Sequence, residues 1–164
     1  MKKFFKSSLS KGFTLMELLV VGALIAILAA IVIISLNNTR IKAANSGVQQ
    51  NLSSARAQAE IFYNTNTAAP ATYTSVCSLG PVGGAETLSK LIIAASKSAG
   101  LGGAYSIDAE GHFGQATCNQ TPSAWAVEVP LLGGGGNFWC ADSTGASRIV
   151  ASVSLGDTDE HSCD

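Results

Sequence analysis

Charged residues are scarce in this 164-residue chain. They make up 13% of it, against about 25% in an average soluble domain. Histidine occurs only as His112 and His161, neither at a recognisable spacing from a serine or cysteine nucleophile, and no two cysteines form a C-x-x-C pair. The Gly133–Gly136 run lacks the Lys-Ser/Thr that follows a phosphate-binding loop. These absences argue against a catalytic triad, a zinc site and a nucleotide site, and we expect no enzymatic activity and no cofactor.

Positive charge is especially scarce after the amino-terminal region. Residues 45–164 contain four basic residues against ten acidic ones, a net charge of −6. An acidic domain repels nucleic acid at long range, so we expect no direct binding to nucleic acid. The other basic residues are four lysines before Phe13, with Arg40 and Lys42 further on.

Proline is absent before Pro70, and an unbroken apolar run extends from Phe13 to Leu36. As a helix, these 24 residues would measure about 36 Å, enough to span a bilayer. The basic residues 1–12 predict a cytoplasmic amino terminus. No small-residue cleavage site ends the run, as a secretory signal peptide would require. We therefore expect residues 13–36 to be retained as a single membrane-spanning helix.

One charge interrupts the apolar run, and it is Glu17. An ionised carboxylate within a membrane segment costs about 2.5–3.5 kcal/mol on insertion scales. Its presence predicts a specific role for this side chain.

Beyond the apolar run, a stripe of apolar residues recurs at a heptad-like spacing. Its members are Ile41, Val48, Leu52, Ala55, Ala59 and Phe62, with Asn45 interrupting the stripe once. We predict one helix over about residues 13–64, apolar on all faces in its first half and amphipathic in its second. The stripe predicts packing in a domain core, with a free coiled-coil dimer as the alternative.

The remaining residues predict a short helix and then a series of strands. Residues 86–99 have a helical pattern that ends at Gly100. From residue 104 the period changes to two. Predicted strands are residues 105–107, 112–118, 124–132, 137–142 and 148–153, with 108–111 as a hairpin turn between the first two. The fold class expected is α+β: a long amino-terminal helix packed on a small antiparallel sheet, plus one short helix.

The motif Gly12-Phe13-Thr14-Leu15-Met16-Glu17, behind a basic leader and ahead of an apolar helix, resembles the prepilin signature of type IV pilins and type II secretion pseudopilins. The close resemblance covers roughly residues 11–36. The segment from Cys140 to Gly145 is also similar to a carboxy-terminal segment of some bacterial pilin-like proteins. The chain departs from the family pattern in residues 31–36, where many members have a proline and this sequence has none.

The resemblance implies a role for each part of the motif. A prepilin peptidase would cut between Gly12 and Phe13, remove residues 1–12 as a leader, and methylate the new amine of Phe13. Glu17 would pair with the terminal amine of a neighbouring subunit and so set the axial register of a polymer. The implied partners are other copies of the chain, the peptidase, a membrane assembly platform, and membrane lipid before assembly.

The four cysteines after the membrane segment predict two disulfides in an oxidising compartment, and three pairings are open on sequence alone. The family often closes its last hairpins with a carboxy-terminal disulfide. The resemblance therefore implies Cys140–Cys163, which leaves Cys77–Cys118.

Three acidic residues near the end of the chain are weak candidates for calcium binding, as in some pseudopilins: Asp157, Asp159 and Glu160. Their spacing is not that of an EF-hand. A solvated acidic loop is the preferred interpretation, and no metal site is predicted.

The function expected is that of a structural subunit of a type IV pilus-like filament, with residues 13–36 for membrane insertion and polymerisation and residues 37–164 as the globular domain. The subunit would lie in the cytoplasmic membrane before assembly and in an extracellular filament afterwards. The first alternative is a pseudopilin or minor pilin of a type II secretion or DNA-uptake machine. The second is a membrane-anchored extracytoplasmic binding or sensor domain, which leaves Glu17 without a role.

Overall fold

A computed structural model describes residues 12–69, 71–156 and 159–163; the predicted leader, apart from Gly12, lies outside the described residues. The chain forms two helices and five strands: α1 (Leu15–Thr65), α2 (Ser89–Ser98), β1 (Tyr105–Ile107), β2 (Ala116–Gln120), β3 (Trp125–Pro130), β4 (Phe138–Asp142) and β5 (Ser147–Val150). It divides into two compact units, one ending at Thr39 and the other beginning at Arg40. The fold class is α+β, as the sequence predicts.

The long helix α1 agrees closely with the predicted range 13–64. No proline interrupts it, so its backbone hydrogen bonds continue without a break over 51 residues. In the second unit, the predicted stripe is completely buried at Val48, Leu52, Ala55, Ala59 and Phe62. The prediction that the stripe forms a domain core is confirmed.

The core of the second unit lies between the helices and one face of the sheet. Alternate strand residues join the helical stripe in one buried cluster, and these are Ala116, Cys118, Trp125, Val127, Val129 and Ala141. The helix α2 contributes Ile92 and Ala95 to the same cluster. It ends where the sequence predicts, because Gly100 adopts φ +76° and turns the chain back; this left-handed conformation is inexpensive only for glycine.

The five strands lie in sequence order, and one predicted connection is wrong. Strands β2 to β5 pair antiparallel, but β1 pairs parallel to β2, with Tyr105 opposite Ala116. Residues 108–111 are therefore not the turn of a hairpin between these strands. Asp108 leaves β1 at φ +47°, and a further turn follows at the small antiparallel bridge between His112 and Gln115, so that β2 runs in the same direction as β1.

Four polar side chains are buried on the sheet face opposite the helices, here called the polar face, beside apolar ones such as Phe138 and Cys140. Thr117, Asn119, Glu128 and Asp142 all have 0% exposure. Their covering includes residues 151–156 and 159–163, here called the C-terminal segment; residues 157 and 158 lie outside the described residues. The predicted last strand, 148–153, is too long: β5 ends at Val150, and the chain then leaves the sheet edge so that Ser154 and Leu155 donate backbone N–H groups to the Glu128 carboxylate.

Two disulfides close the second unit. Cys77 is bonded to Cys118, which ties the loop after α1 to β2, and Cys140 is bonded to Cys163, which ties the C-terminal segment to β4. These are the two pairs that the resemblance implies.

Candidate functional site

The first half of α1 presents an apolar surface that nothing in the described chain covers. The large apolar side chains that the structure describes between Phe13 and Leu36 are 46% to 86% exposed. By length and composition this helix could cross a membrane. A core helix of a soluble protein and an amino-terminal signal sequence can have the same length and composition, but the apolar side chains of a core helix would be buried within the fold. Exposing so much apolar surface to water is unfavourable, and contact with lipid or with another protein surface would remove that cost.

The helix begins with a reciprocal set of hydrogen bonds between Thr14 and Glu17. The Glu17 Oε2 atom accepts from the backbone N–H of Thr14 at 2.9 Å and from the Thr14 hydroxyl at 2.9 Å. The Thr14 Oγ1 atom in turn accepts from the backbone N–H of Glu17 at 3.2 Å. This is a capping box, which satisfies two N–H groups that the start of a helix leaves without intrahelical partners.

The capping box gives Glu17 a role within its own chain but uses only one of its carboxylate oxygens. Within the described residues, no hydrogen bond reaches Glu17 Oε1. The carboxylate therefore keeps one oxygen available for a cation or donor from another molecule. A negative side chain in the first turn is also favoured by the positive end of the helix dipole.

The predicted cleavage site lies immediately before this helix. Gly12 and Phe13 are exposed and precede the first helical residue, Leu15. A side chain at Gly12 would meet no atom within 4 Å. The peptide bond between Gly12 and Phe13 therefore joins two exposed residues and lies outside the helix.

The other candidate sites are less well formed. Asp159 and Glu160 are exposed, and Glu160 Oε2 accepts from the Gly156 N–H at 2.5 Å; Asp157 lies outside the described residues. No group of three possible metal ligands occurs in the part of the chain that the structure describes. His112 is exposed, and the ring Nδ1 of His161 contacts the Asp159 carbonyl at 2.7 Å.

Comparison of the chain with protein-family models, curated proteins and solved structures gives no match.

Two residues have clear structural roles that the sequence did not predict. Thr14 is one; the Thr-x-x-Glu spacing ahead of an apolar run is the signal that identifies it. Asn45 is the other, and it binds the backbone of Leu132 through both ends of its amide. No local pattern predicts that contact, because the two residues are 87 positions apart.

Proposed function

We propose that this protein is the structural subunit of a type IV pilus-like filament, inserted in the membrane through the first half of α1 and polymerised through the same surface after cleavage between Gly12 and Phe13. The observation that carries the proposal is the exposed apolar helix with one carboxylate, Glu17, in its first turn. The chain would be stored as a single-pass membrane protein with its amino terminus in the cytoplasm.

The exposed helix supports polymerisation because it needs a continuous apolar environment both before and after leaving the membrane. Each large side chain gains about 1.5–3 kcal/mol when it is fully buried away from water. Inside a bilayer that gain is already supplied by lipid, so apolar contact alone does not drive helices together there. Outside the membrane, only packing against other copies of the same helix would provide a comparable environment.

Glu17 supports a defined subunit register. Cleavage would create a positive amine at Phe13, close to the positive end of the α1 dipole, where a cation is unfavourable. A carboxylate with one free oxygen can offset that charge. A Glu17 on one subunit paired with the amine of the next would leave neither charge unpaired among apolar helices.

Mass spectrometry of the mature protein tests the processing step. We expect a chain that starts at Phe13 with one additional methyl group on its amine. An intact Met1, or a terminus beyond Leu36, contradicts the proposal.

Two matched variants separate the charge of Glu17 from its role in the capping box. Glu17→Gln keeps a side chain that a capping box accepts but removes the charge. Thr14→Ala removes the partner hydroxyl and keeps the charge. We expect Glu17→Gln to insert in the membrane normally and to form few or no filaments in electron micrographs of sheared cell-surface material, and Thr14→Ala to be affected less. Normal filaments from Glu17→Gln would show that the charge does not set the register.

A further inference from the structure

The buried carboxylate of Glu128 holds the C-terminal segment on the sheet. Its Oε2 atom accepts from the backbone N–H of Ser154 at 3.0 Å, from the Ser154 hydroxyl at 3.1 Å and from the backbone N–H of Leu155 at 3.2 Å. Leu155 is fully buried, and its carbonyl accepts from the Gly111 N–H at 2.7 Å. One side-chain oxygen is thus the common acceptor for three donors of Ser154 and Leu155.

The other oxygen of Glu128 lacks such partners. Within the described residues, no donor reaches Oε1, although the whole side chain has 0% exposure. Burial raises the pKa of Glu128; the hydrogen bonds from Ser154 and Leu155 lower it and the nearby charge of Glu160 raises it, with a net rise. A charged carboxylate with an unpaired oxygen is costly in such a place, and the neutral form is favoured.

Asp142 lies on the same polar face, but both of its carboxylate oxygens accept hydrogen bonds, and its pKa is shifted in the other direction. Its Oδ1 accepts from Thr144 and Ala146, and its Oδ2 accepts from the Cys163 N–H at 2.7 Å. Burial raises the pKa of Asp142, but these hydrogen bonds outweigh it and the net shift is downward. The pKa values of the two carboxylates are therefore shifted in opposite directions under the same segment.

Several other charged or titratable groups belong to the elements around Glu128. They are Glu110 and His112 beside Gly111, Asp142 on β4, Arg148 on β5, and Asp159, Glu160 and His161 on the segment. Arg148 donates to the Cys163 carbonyl, so this cation is engaged at the end of the segment. Of these groups, Glu160 acts on Glu128 through its charge, and in the direction that disfavours ionisation.

We propose that Glu128 is a proton-operated latch: the C-terminal segment is docked while Glu128 is protonated, and it is released from the sheet as Glu128 ionises. Release lets water solvate the carboxylate, which then ionises at an ordinary carboxyl pKa of about 4.3. Because the pKa of Glu128 is higher in the docked state, the docked state loses stability as the pH rises from the ordinary value through the raised one. For a single proton, the equilibrium constant for release rises by up to tenfold per pH unit in that window and then levels off.

The disulfide between Cys140 and Cys163 limits how far the segment can move. Cys140 lies directly opposite Glu128 in the β3–β4 pairing, and the Ser154 hydroxyl approaches its sulfur at 3.4 Å. Cys163 stays bonded to β4, and the start of the segment stays joined to β5. Release therefore lifts only the residues between these two attachments away from the sheet. Opening exposes the polar face at Thr117, Asn119 and Glu128. The inference concerns the second unit alone and does not depend on the proposed filament.

Amide hydrogen exchange in the full chain, held in detergent micelles and labelled with ¹⁵N, tests the latch. The rates at Ser154 and Leu155 are measured from pH 4 upwards in the wild type and in Glu128→Gln, which keeps an acceptor oxygen but cannot ionise. Dividing one rate by the other at each pH removes the intrinsic pH dependence of exchange. We expect this ratio to rise by up to tenfold per pH unit and then reach a plateau, while the ratio at Val127 stays flat.

Two further variants keep the test decisive if Glu128→Gln folds poorly. Glu160→Gln removes the neighbouring charge, and it should move the wild-type transition in the Ser154 and Leu155 chemical shifts to lower pH. Glu86→Gln removes an exposed carboxylate paired with Lys90, and it should leave the transition where it is. A flat ratio, wild-type shifts that do not titrate, or an equal effect of Glu86→Gln would overturn the proposal.

Discussion

At the scale of single residues, the polar exceptions in apolar patterns carry much of the specificity. Asn45 interrupts the apolar stripe of α1, and its amide nitrogen donates to the Leu132 carbonyl at 3.0 Å while its oxygen accepts from the Leu132 N–H at 2.9 Å. A side-chain amide thereby satisfies the backbone of the loop between β3 and β4 as a neighbouring strand would. The same loop places Gly133 against Ile41, so Asn45 fixes where the helix meets the loop.

Asn45→Ala should lower the free energy of unfolding of the full chain by about 1–3 kcal/mol, because both backbone groups of Leu132 lose their partner. Urea unfolding in detergent, followed by far-ultraviolet circular dichroism, measures the change. Asn51→Ala is the matched control, since the Asn51 amide only donates back to Gly47 within α1. Equal losses in the two variants would mean that the contact with Leu132 is not special.

At the scale of secondary-structure elements, the connection between β1 and β2 is shaped by a close approach to β3. A Cβ atom on Gly111 would lie 1.8 Å from Glu128 Oε1 and 2.8 Å from a methyl carbon of Val153. The loop can rest on the buried carboxylate only because this residue has no side chain. This contact explains how the loop carries the chain across the polar face before β2 begins.

Gly111→Ala should destabilise the domain by about 1–3 kcal/mol or more, as overpacking of a buried site does. Gly114→Ala, in the same loop, should change little, because its nearest neighbour would be the His112 ring at 3.7 Å. The midpoints of thermal unfolding of both variants, compared with the wild type, check this difference. A Gly111→Ala protein as stable as Gly114→Ala would contradict the close packing described here.

The elements themselves could be predicted from sequence, whereas their pairing and the polar face could not. Regular periods identify α1 and most strands because the apolar residues of one face repeat every 3.6 or 2 positions. The direction of β1 could not be read in this way, since a turn-rich loop such as 108–115 fits several connections. A period of two assigns Glu128 to a solvent-facing position, and only the C-terminal segment, which has no period of its own, makes that position buried.

The candidate site also has features that the sequence predicts and features that only the structure shows. The motif around Gly12 and Glu17 is visible in the sequence because its residues are close together along the chain. The capping bonds of Thr14 follow from a recognised spacing. The free oxygen of Glu17 and the exposure of the apolar side chains required coordinates.

At the scale of the whole molecule, the two units differ in whether their apolar side chains are buried. The unit beginning at Arg40 contains the buried cluster and both disulfides. The unit ending at Thr39 presents apolar side chains that are largely exposed. A core that lies entirely within the second unit predicts that this unit folds without the first.

A chain that begins at Arg40 and is exported to an oxidising compartment should therefore be folded and monomeric, and it should stay in solution without detergent. We expect its melting temperature to lie within roughly 4 °C of that of the full chain in micelles, the shift that about 1 kcal/mol produces in a domain of this size. Calorimetry and non-reducing peptide mapping measure the melting and the cysteine pairs. Loss of cooperative melting would show that the first half of α1 contributes to the domain's stability.

The order of the disulfides has a consequence for biogenesis. Cys77 joins the next cysteine along the chain, and Cys140 joins the one after it, so the two covalent loops neither overlap nor enclose one another. A polypeptide that emerges amino terminus first can seal the first loop before Cys140 appears, and it then has only one partner for each remaining thiol. Sequential emergence of the chain therefore allows both disulfides to form with an oxidant alone, without reshuffling of mispaired cysteines.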